Sequence, residues 1–503
     1  MMRPSLLVQP FTDLGNSERL IITHRCAYLY CLERKRFLRW DGRRWADDPA
    51  TIHAAKETIE YLSDEVDGLP ESNKEEKEFK HDARKFASQS QNLHRLNAMV
   101  TLASRDSRWL VSATKLDRDG LKFNLQNGTF DLRAKKLLPH NPADLITKIS
   151  PVKFDKTAGC PKFLAFMNLF MQSNAEMIRY LQRIAGYCLT DRVSEQAVFC
   201  LYEKGHNGKT TFLQVMRHIA GDYGTRIMAS SITSTGRDTF GSNSTNSDLA
   251  DLCGTRFATV SEIPQGAKLS ESLVKDLHSG DVFKARRLHE NPIIFPPTWK
   301  ILVDSNHKPV VSGGDDGIWR RLKLIACNAK IVKRILDYHL VLIAEEASGI
   351  LNWGIEGCME WQRDGLKEPA CVTAATATWR KQGDIVQEFI DDMCLIDPTY
   401  CTPVEQINQE FDEWVEKYYK GQVTRPDLRD LLVAKGREWS VRRRIKGELQ
   451  RVVDGVRLAR WKFNYWIVRE AGTEICDNNL LSRSPSSVTD FVTPEDPDTK
   501  LVN

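Results

Sequence analysis

Gly205, His206, Asn207, Gly208, Lys209, Thr210 and Thr211 have the residue types needed to hold a polyphosphate. Holding a nucleoside triphosphate takes inward-pointing backbone N–H groups, a cation at the β- and γ-phosphates, and a hydroxyl for magnesium. The glycines let the backbone wrap, Lys209 brings the charge and Thr210 the hydroxyl. A glycine is usual six positions before the lysine of such a loop, and Glu203 stands there instead. Taken alone, a loop this degenerate could be a surface turn. Its context argues otherwise. The apolar run Ala197-Val198-Phe199-Cys200-Leu201-Tyr202 precedes it and predicts a strand, and Phe212–Ile219 follows and predicts a helix.

Other candidates follow in chain order. A second apolar run, Arg256-Phe257-Ala258-Thr259-Val260, ends at Ser261-Glu262, where a carboxylate can polarise a water or hold magnesium. A Ser/Glu helix cap has the same composition. A third run, Lys300-Ile301-Leu302-Val303, ends at Asp304-Ser305-Asn306, where an amide can orient a water and sense a γ-phosphate, or simply turn the chain. Trp319-Arg320-Arg321 offers guanidinium charge that can stabilise phosphoryl transfer at a neighbouring subunit's nucleotide, or a surface ion pair with Asp315 or Asp316. Between the second and third runs, Gly280–Pro292 alternates basic and apolar residues like a β-hairpin. Lys284, Arg286, Arg287 and His289 near its tip suit phosphate contacts on DNA, and equally a charge-guarded sheet edge. Asp117-Arg118-Asp119 has the spacing of a two-metal carboxylate pair, but beside Gly120 it is read as a turn.

The whole chain is not a basic coat: 503 residues carry a net charge of only +4, so nucleic-acid contact must come from local patches. One such patch is 420–462, with 13 Lys and Arg against 5 Asp and Glu. There Arg442, Arg443, Arg444 and Lys446 lie between a predicted helix and the strand around Gly455–Trp461. A basic helix followed by a strand hairpin is the pattern of a winged helix-turn-helix, and also of a solvated basic face. The 12 cysteines are scattered without Cys-x-x-Cys pairs. Buried reduced thiols in a cytoplasmic protein are expected, with Cys188, Cys200, Cys253 and Cys327 in apolar runs. No run of 18 apolar residues predicts a membrane span.

The elements that must position these residues are mixed. Residues 1–155 read as an α/β domain with hairpins turned at Asp41-Gly42 and Asn127-Gly128 around a charged helical stretch at 50–105. Residues 156–195 read as a helical collar. Residues 196–335 alternate strands and helices, which predicts a parallel sheet with nucleotide at the strand C-termini. Residues 336–395 read as helices, 396–470 as a small basic domain, and 471–503 as a disordered tail rich in Ser, Asp, Pro and Thr.

The order and spacing of these motifs strongly resemble the superfamily 3 helicases of the phage and plasmid primase–helicase type, relatives of the poxvirus primase–helicases. Thr12-Asp13-Leu14-Gly15-Asn16, Trp40-Asp41-Gly42, Asn127–Leu132 and His140 resemble that family's domain before the motor. Gly205–Thr211 resembles its Walker A loop, Glu262 its Walker B acid, and Lys275 with Ser279-Gly280-Asp281 and Lys284-Ala285-Arg286 its DNA-contacting hairpin region. Asn306 resembles its sensor, Trp319-Arg320-Arg321 its arginine finger, and Gly349–Trp353 with Gly365-Leu366 and Pro369 its lid. Glu203, Ser261 and Ser279 depart from the pattern. The resemblance implies a P-loop, AAA+-like parallel-sheet motor with an N-terminal α/β domain, a helical lid and a C-terminal winged-helix-like domain. It implies an ATP hydrolase using magnesium, held by Thr210 and Glu262, with Lys209, Glu262, Asn306, Arg320 and Arg321 as catalytic residues. It further implies a ring, a homohexamer, that unwinds DNA in phage, prophage or plasmid replication with a separate primase, since an upstream primase module has no room here. An ATP-assembled DNA-binding initiator or switch, or a decayed defence-type motor, stays open beside it.

Overall fold

The computed structural model describes residues 5–202, 207–234, 247–264, 267–286, 293–309, 311, 316–331, 335–383, 385–419, 428, 432, 438–445, 448–458, 468–470 and 473–475. The chain divides into two compact units, one of residues 1–309 and 315–377, the other of 310–314 and 378–503.

The larger unit begins with α1 (Asp13–Thr23), whose first turn explains the motif at 12–16. The Thr12 hydroxyl accepts the Gly15 N–H at 3.0 Å, and the Asn16 amide donates to Ser90 Oγ at 2.9 Å. A Cβ on Gly15 would fall 1.9 Å from the Pro10 carbonyl oxygen, so the close approach requires glycine. Fully buried Arg19 holds the entering chain by donating to the carbonyls of Leu6 at 2.9 Å and Pro10 at 3.0 Å. Strands β1 (Tyr28–Cys31), β2 (Arg36–Trp40) and β3 (Trp45–Asp47) follow. The Asp41-Gly42 turn forms as expected, with Asp41 Oδ1 accepting the N–H groups of Arg43 and Arg44. Helices α2 (Ile52–Asp67), α3 (Lys74–Ser90) and α4 (Leu93–Ala103) bury Ile59, Leu62, Phe86 and Met99 against α1. Then β4 (Leu110–Val111) joins the sheet in the order β3-β2-β1-β4.

A three-stranded antiparallel sheet, β5 (Lys122–Leu125), β6 (Gly128–Asp131) and β7 (Lys136–Leu138), carries the second hairpin. Its turn differs from expectation by one residue. Leu125 pairs with Gly128, so Gln126-Asn127 make the turn and Gly128 is the first strand residue. Asn124 organises this region: its amide donates to the carbonyls of Arg43 and Lys148, while its oxygen meets Thr129 Oγ1 and His140 Nδ1, each at 3.0 Å. Of the motif residues of the N-terminal part, Thr129 and His140 therefore join a polar network around buried Asn124, whereas Asp41, Gly42 and Asn127 are exposed turn residues.

Helices α5 (Pro161–Phe170) and α6 (Ala175–Tyr187) lead to β8 (Val198–Tyr202) and α7 (Lys209–Ala220). The unit continues through β9 (Gly224–Ile227), β10 (Thr233–Ser234), α8 (Ser247–Ala250), β11 (Phe257–Ser261), β12 (Lys268–Leu269), α9 (Glu271–Leu277), β13 (Phe283–Ala285), β14 (Ile293–Phe295), β15 (Lys300–Ser305), α10 (Asp316–Trp319) and β16 (Leu322–Ala326). Five of these strands form one all-parallel sheet in the order β16-β8-β15-β11-β9. Its central strands are apolar almost without alternation because both faces are covered. Long α11 (Tyr338–Asp364) packs across α6, and α12 (Ala370–Gly383) follows it. Glu346 on α11 caps α5 from outside, its carboxylate accepting the N–H groups of Lys162 at 2.9 Å and Phe163 at 2.8 Å.

In the smaller unit, α13 (Ile385–Met393), β17 (Cys394–Pro403), α14 (Val404–Tyr419), β18 (Trp439–Ile445), β19 (Glu448–Leu458), β20 (Val468–Glu470) and β21 (Thr473–Ile475) are described; the strands form a five-stranded sheet, order β18-β19-β17-β20-β21. Phe389, Phe411, Trp414, Val453 and Val456 make its core. Residues 397–403, which include prolines at 398 and 403, are part of β17, whose pairing is interrupted only by a register shift between Ile396 and Cys401. One expectation changes. The tail expected to be disordered from 471 contains β21, which pairs with β20 because Val468 and Ile475 are register partners. The remainder of that tail, 476–503, lies outside the described residues.

Candidate functional site: the carboxyl edge of the parallel sheet

Strands β8, β15 and β11 are neighbours, and each delivers a polar residue at its carboxyl end. Gly208, at φ +95°, starts α7 with no side-chain cap hydrogen bond, and the start of a helix is where backbone N–H groups can meet an anion. Phe166 and Ile331 pack so close that a Cβ on Gly208 would meet them at 3.0 and 3.3 Å. Helix α7 is held below by aromatic packing, Phe166 on Phe170 at 5.6 Å and Phe170 on Phe212 at 5.8 Å between ring centroids. The buried Asn207 amide donates to the Cys327 carbonyl at 2.9 Å and pins the loop to the end of β16. Gly205 and His206 lie outside the described residues; Thr211 is half-buried on the first turn of α7.

Lys209 is only 4% exposed. Its ammonium donates to Asn306 Oδ1 at 3.1 Å and lies 3.9 Å from Asp304 Oδ1. Thr210 donates to Asp304 Oδ2 at 2.9 Å. Lys209, Thr210 and Asn306 are thus brought together, and Asp304 joins them. Sequence reasoning gave Asp304 no role. The available signal was a carboxylate ending an apolar strand that turned out to be the loop strand's neighbour. Burial pushes the Asp304 carboxyl above the usual carboxylate range, as does Glu262, while Thr210 and Lys209 pull it back. Glu262 sits just past β11 in a left-handed conformation, φ +55°, its N–H donating to the Asp304 carbonyl at 2.9 Å and its side chain exposed. A non-glycine residue in that region costs about 1 kcal/mol. The ladder to β15 offsets that strain and holds Glu262 at the carboxyl edge.

The two arginines separate. Arg321 is 7% exposed and donates to the Gly317 carbonyl at 2.6 Å within its own turn. Arg320 is exposed. The pair expected to reach a neighbouring nucleotide thus contains one residue placed to leave its own surface. Lys284 and Arg286 are exposed on and just after β13, which pairs with β14 as the predicted hairpin; Arg287 and His289 lie outside the described residues. In the smaller unit, Arg442, Arg443 and Arg444 lie on β18, in the hairpin itself and not on a helix. Arg442 and Arg444 are exposed, and Arg443 pairs with Asp454 at 2.8 Å; Lys446 lies outside the described residues. Among the described residues, no cluster of three or more His, Cys, Asp or Glu side chains could hold a metal ion, and no helix is long and apolar enough to cross a membrane. No described cysteine forms a disulfide, and burial pushes Cys188 and Cys200 up to about 12; Cys253 is only half-buried.

Residues 17–172 match the family model described as D5 N terminal like. Over 344 residues the chain is 26% identical to a protein of Acanthamoeba polyphaga mimivirus named Putative helicase L207/L206, covering 63% of this chain and 35% of that protein. Over 268 residues it is 23% identical to Putative helicase 022R of Frog virus 3, covering 49% of this chain and 27% of that protein. The chain therefore spans about a third of the length of the curated relatives it matches. Among solved structures, the A form apo structure of the NrS-1 C terminal region matches at 11% identity and TM-score 0.34, over 60% of this chain and 78% of that one. The resemblance to poxvirus-type primase–helicases read from the motifs is borne out by the family match and the viral relatives.

Proposed function

We propose that the chain is an ATP-driven DNA helicase motor of viral, phage or plasmid replication, working as a ring of identical subunits. One observation carries this reading: Lys209, Thr210, Asn306 and Glu262 converge at the carboxyl ends of three adjacent strands of one parallel sheet. The donor set fits a magnesium nucleotide. Lys209 and Thr210 open α7 directly after Gly208, and the Lys209 ammonium and the Thr210 hydroxyl both meet the end of β15, at Asn306 and Asp304. Magnesium, when bound, would neutralise phosphate charge next to Thr210. Lys209 would give up its bond to Asn306 and carry the β/γ-phosphate charge. Asn306, released, would orient the attacking water, and exposed Glu262 would accept that water's proton. Arg320 would complete a neighbouring subunit's site, which is why the motor would need a ring. Lys284 and Arg286 would meet DNA phosphates in the channel, and Arg442 with Arg444 would meet duplex outside it. A separate polypeptide would supply primers.

The test is DNA-stimulated ATP hydrolysis with strand displacement on a forked substrate. Lys209→Ala should abolish both activities, and turnover persisting in that variant would overturn the assignment. Hydrolysis without displacement would favour an ATP-assembled initiator or switch.

A further inference from the structure

Among P-loop nucleotide hydrolases, magnesium is held by the loop Ser/Thr and by an Asp at the end of a nearby strand, here expected on β11. That strand ends at Ser261, so the position before the acid is a hydroxyl residue. Glu262 itself lies beyond the strand, exposed, in the left-handed region. The strand next to β8 is β15, one strand spacing of about 4.8 Å closer to Thr210 than β11 is. In the parallel ladder Asp304 is the register partner of both Ser261 on β11 and Leu201 on β8. Paired positions of adjacent strands share a sheet face. A carboxylate at 304 therefore occupies the same face as one at 261 would, shifted one strand toward the loop.

We propose that Asp304 is the magnesium-orienting carboxylate of this motor, relocated from β11 to β15, which leaves Glu262 free to act on water. The inference rests on the nucleotide reading above. Its geometry is already present: Asp304 Oδ2 accepts the Thr210 hydroxyl at 2.9 Å, and Oδ1 lies 3.9 Å from the Lys209 ammonium. Asp304 is mostly shielded, with 14% of its side chain exposed, so few waters compete for its lone pairs. The Glu262 N–H donates to the Asp304 carbonyl at 2.9 Å, so the two acids stand at the ends of adjacent strands, where a divalent cation would offset their charge.

The experiment is titration of the full chain with a fluorescent ADP, in magnesium and in EDTA, together with Mn2+ electron paramagnetic resonance of the ADP complex. The parent should bind more tightly in magnesium by about tenfold or more, the worth of one charge-assisted ligand. Asp304→Asn should lose that gain and the bound-Mn2+ signal. In EDTA it should bind as tightly as the parent or more so, since a negative charge has left the phosphate site. The EDTA arm also shows that the variant's pocket is folded, and Asp304→Ser should behave the same way. Retention of the magnesium gain within twofold would overturn the proposal. So would loss of binding in EDTA as well, because Asp304 would then only brace Thr210 and Lys209. A parent that binds in neither buffer would instead overturn the nucleotide reading itself.

Discussion

Gly357→Ala should destabilise the larger unit by about 3 kcal/mol. A Cβ at Gly357 on α11 would lie 2.0 Å from the Gln182 carbonyl oxygen of α6, and one at Gly186 on α6 would lie 2.0 Å from the Cys358 nitrogen. Ordinary contact needs about 3.4 Å, so the helices must part by more than 1 Å, and the opposing atoms are backbone that no rotamer change can move. Overpacking of this kind costs about 1–3 kcal/mol. Separation also strains the Gln182 amide bond to the Trp353 carbonyl at 3.0 Å, worth about 1 kcal/mol, and the Tyr187–Trp361 ring pair at 4.6 Å, worth about 0.5–1.5 kcal/mol. Alanine's better helix propensity returns about 1 kcal/mol. With an unfolding entropy of roughly 2.1 cal/mol/K per residue, a unit of this size should melt about 4 °C lower. Differential scanning calorimetry reads it, with Gly68→Ala as control. Gly68 ends α2 at φ −76° with its nearest would-be contact at 3.6 Å, so alanine there should stabilise by about 0.5 kcal/mol. Gly357→Ala melting at or above the parent would refute the close-packing argument.

Other outcomes are equally specific. Arg320→Ala should leave folding and ADP binding intact while cutting ATP hydrolysis at least a hundredfold, whereas Arg321→Ala should lower the melting temperature; the reverse pattern would mean Arg321 is the reaching residue. Burial lowers the Lys300 ammonium to about 7, where it donates to the Thr298 carbonyl at 3.0 Å and sits 4.9 Å from the Tyr187 ring. The unfolded chain holds that proton up to about pH 10 and the folded chain only to about pH 7, so this residue makes stability rise between those values. Lys300→Met should flatten the rise in urea midpoints measured across that window. Arg442→Gln with Arg444→Gln should weaken duplex binding and reduce its salt slope while leaving basal ATP hydrolysis unchanged, read by anisotropy across a salt series. Asn124→Ala should cost about 2–4 kcal/mol in chemical denaturation, because it removes the amide's bonds to the carbonyls of Arg43 and Lys148 and the oxygen's bonds to Thr129 and His140, and leaves the Lys148 carbonyl with the Tyr223 hydroxyl alone.

Local chemistry made much of this protein legible in its residues alone. The loop at Gly205–Thr211 is flagged by residue type, the apolar runs at 198–202, 257–260 and 300–303 are buried on both faces, and Asp41-Gly42 forces a turn, because each depends on neighbours within a few positions. The order β16-β8-β15-β11-β9 is not local. Only the tertiary ladder puts β15 beside β8, and that adjacency turns Asp304 from a strand-end residue into a partner of Thr210 and Lys209. The same limit separated Arg320 from Arg321: adjacent in sequence and alike in charge, they differ only in which one the turn at Gly317 buries. Arg442–Arg444 were visible as charge, but their place on β18 rests on pairing with β19. Composition and spacing specify which groups a segment carries; which groups meet across strands is decided by long-range packing, as between Thr210 and Asp304, which lie 94 positions apart.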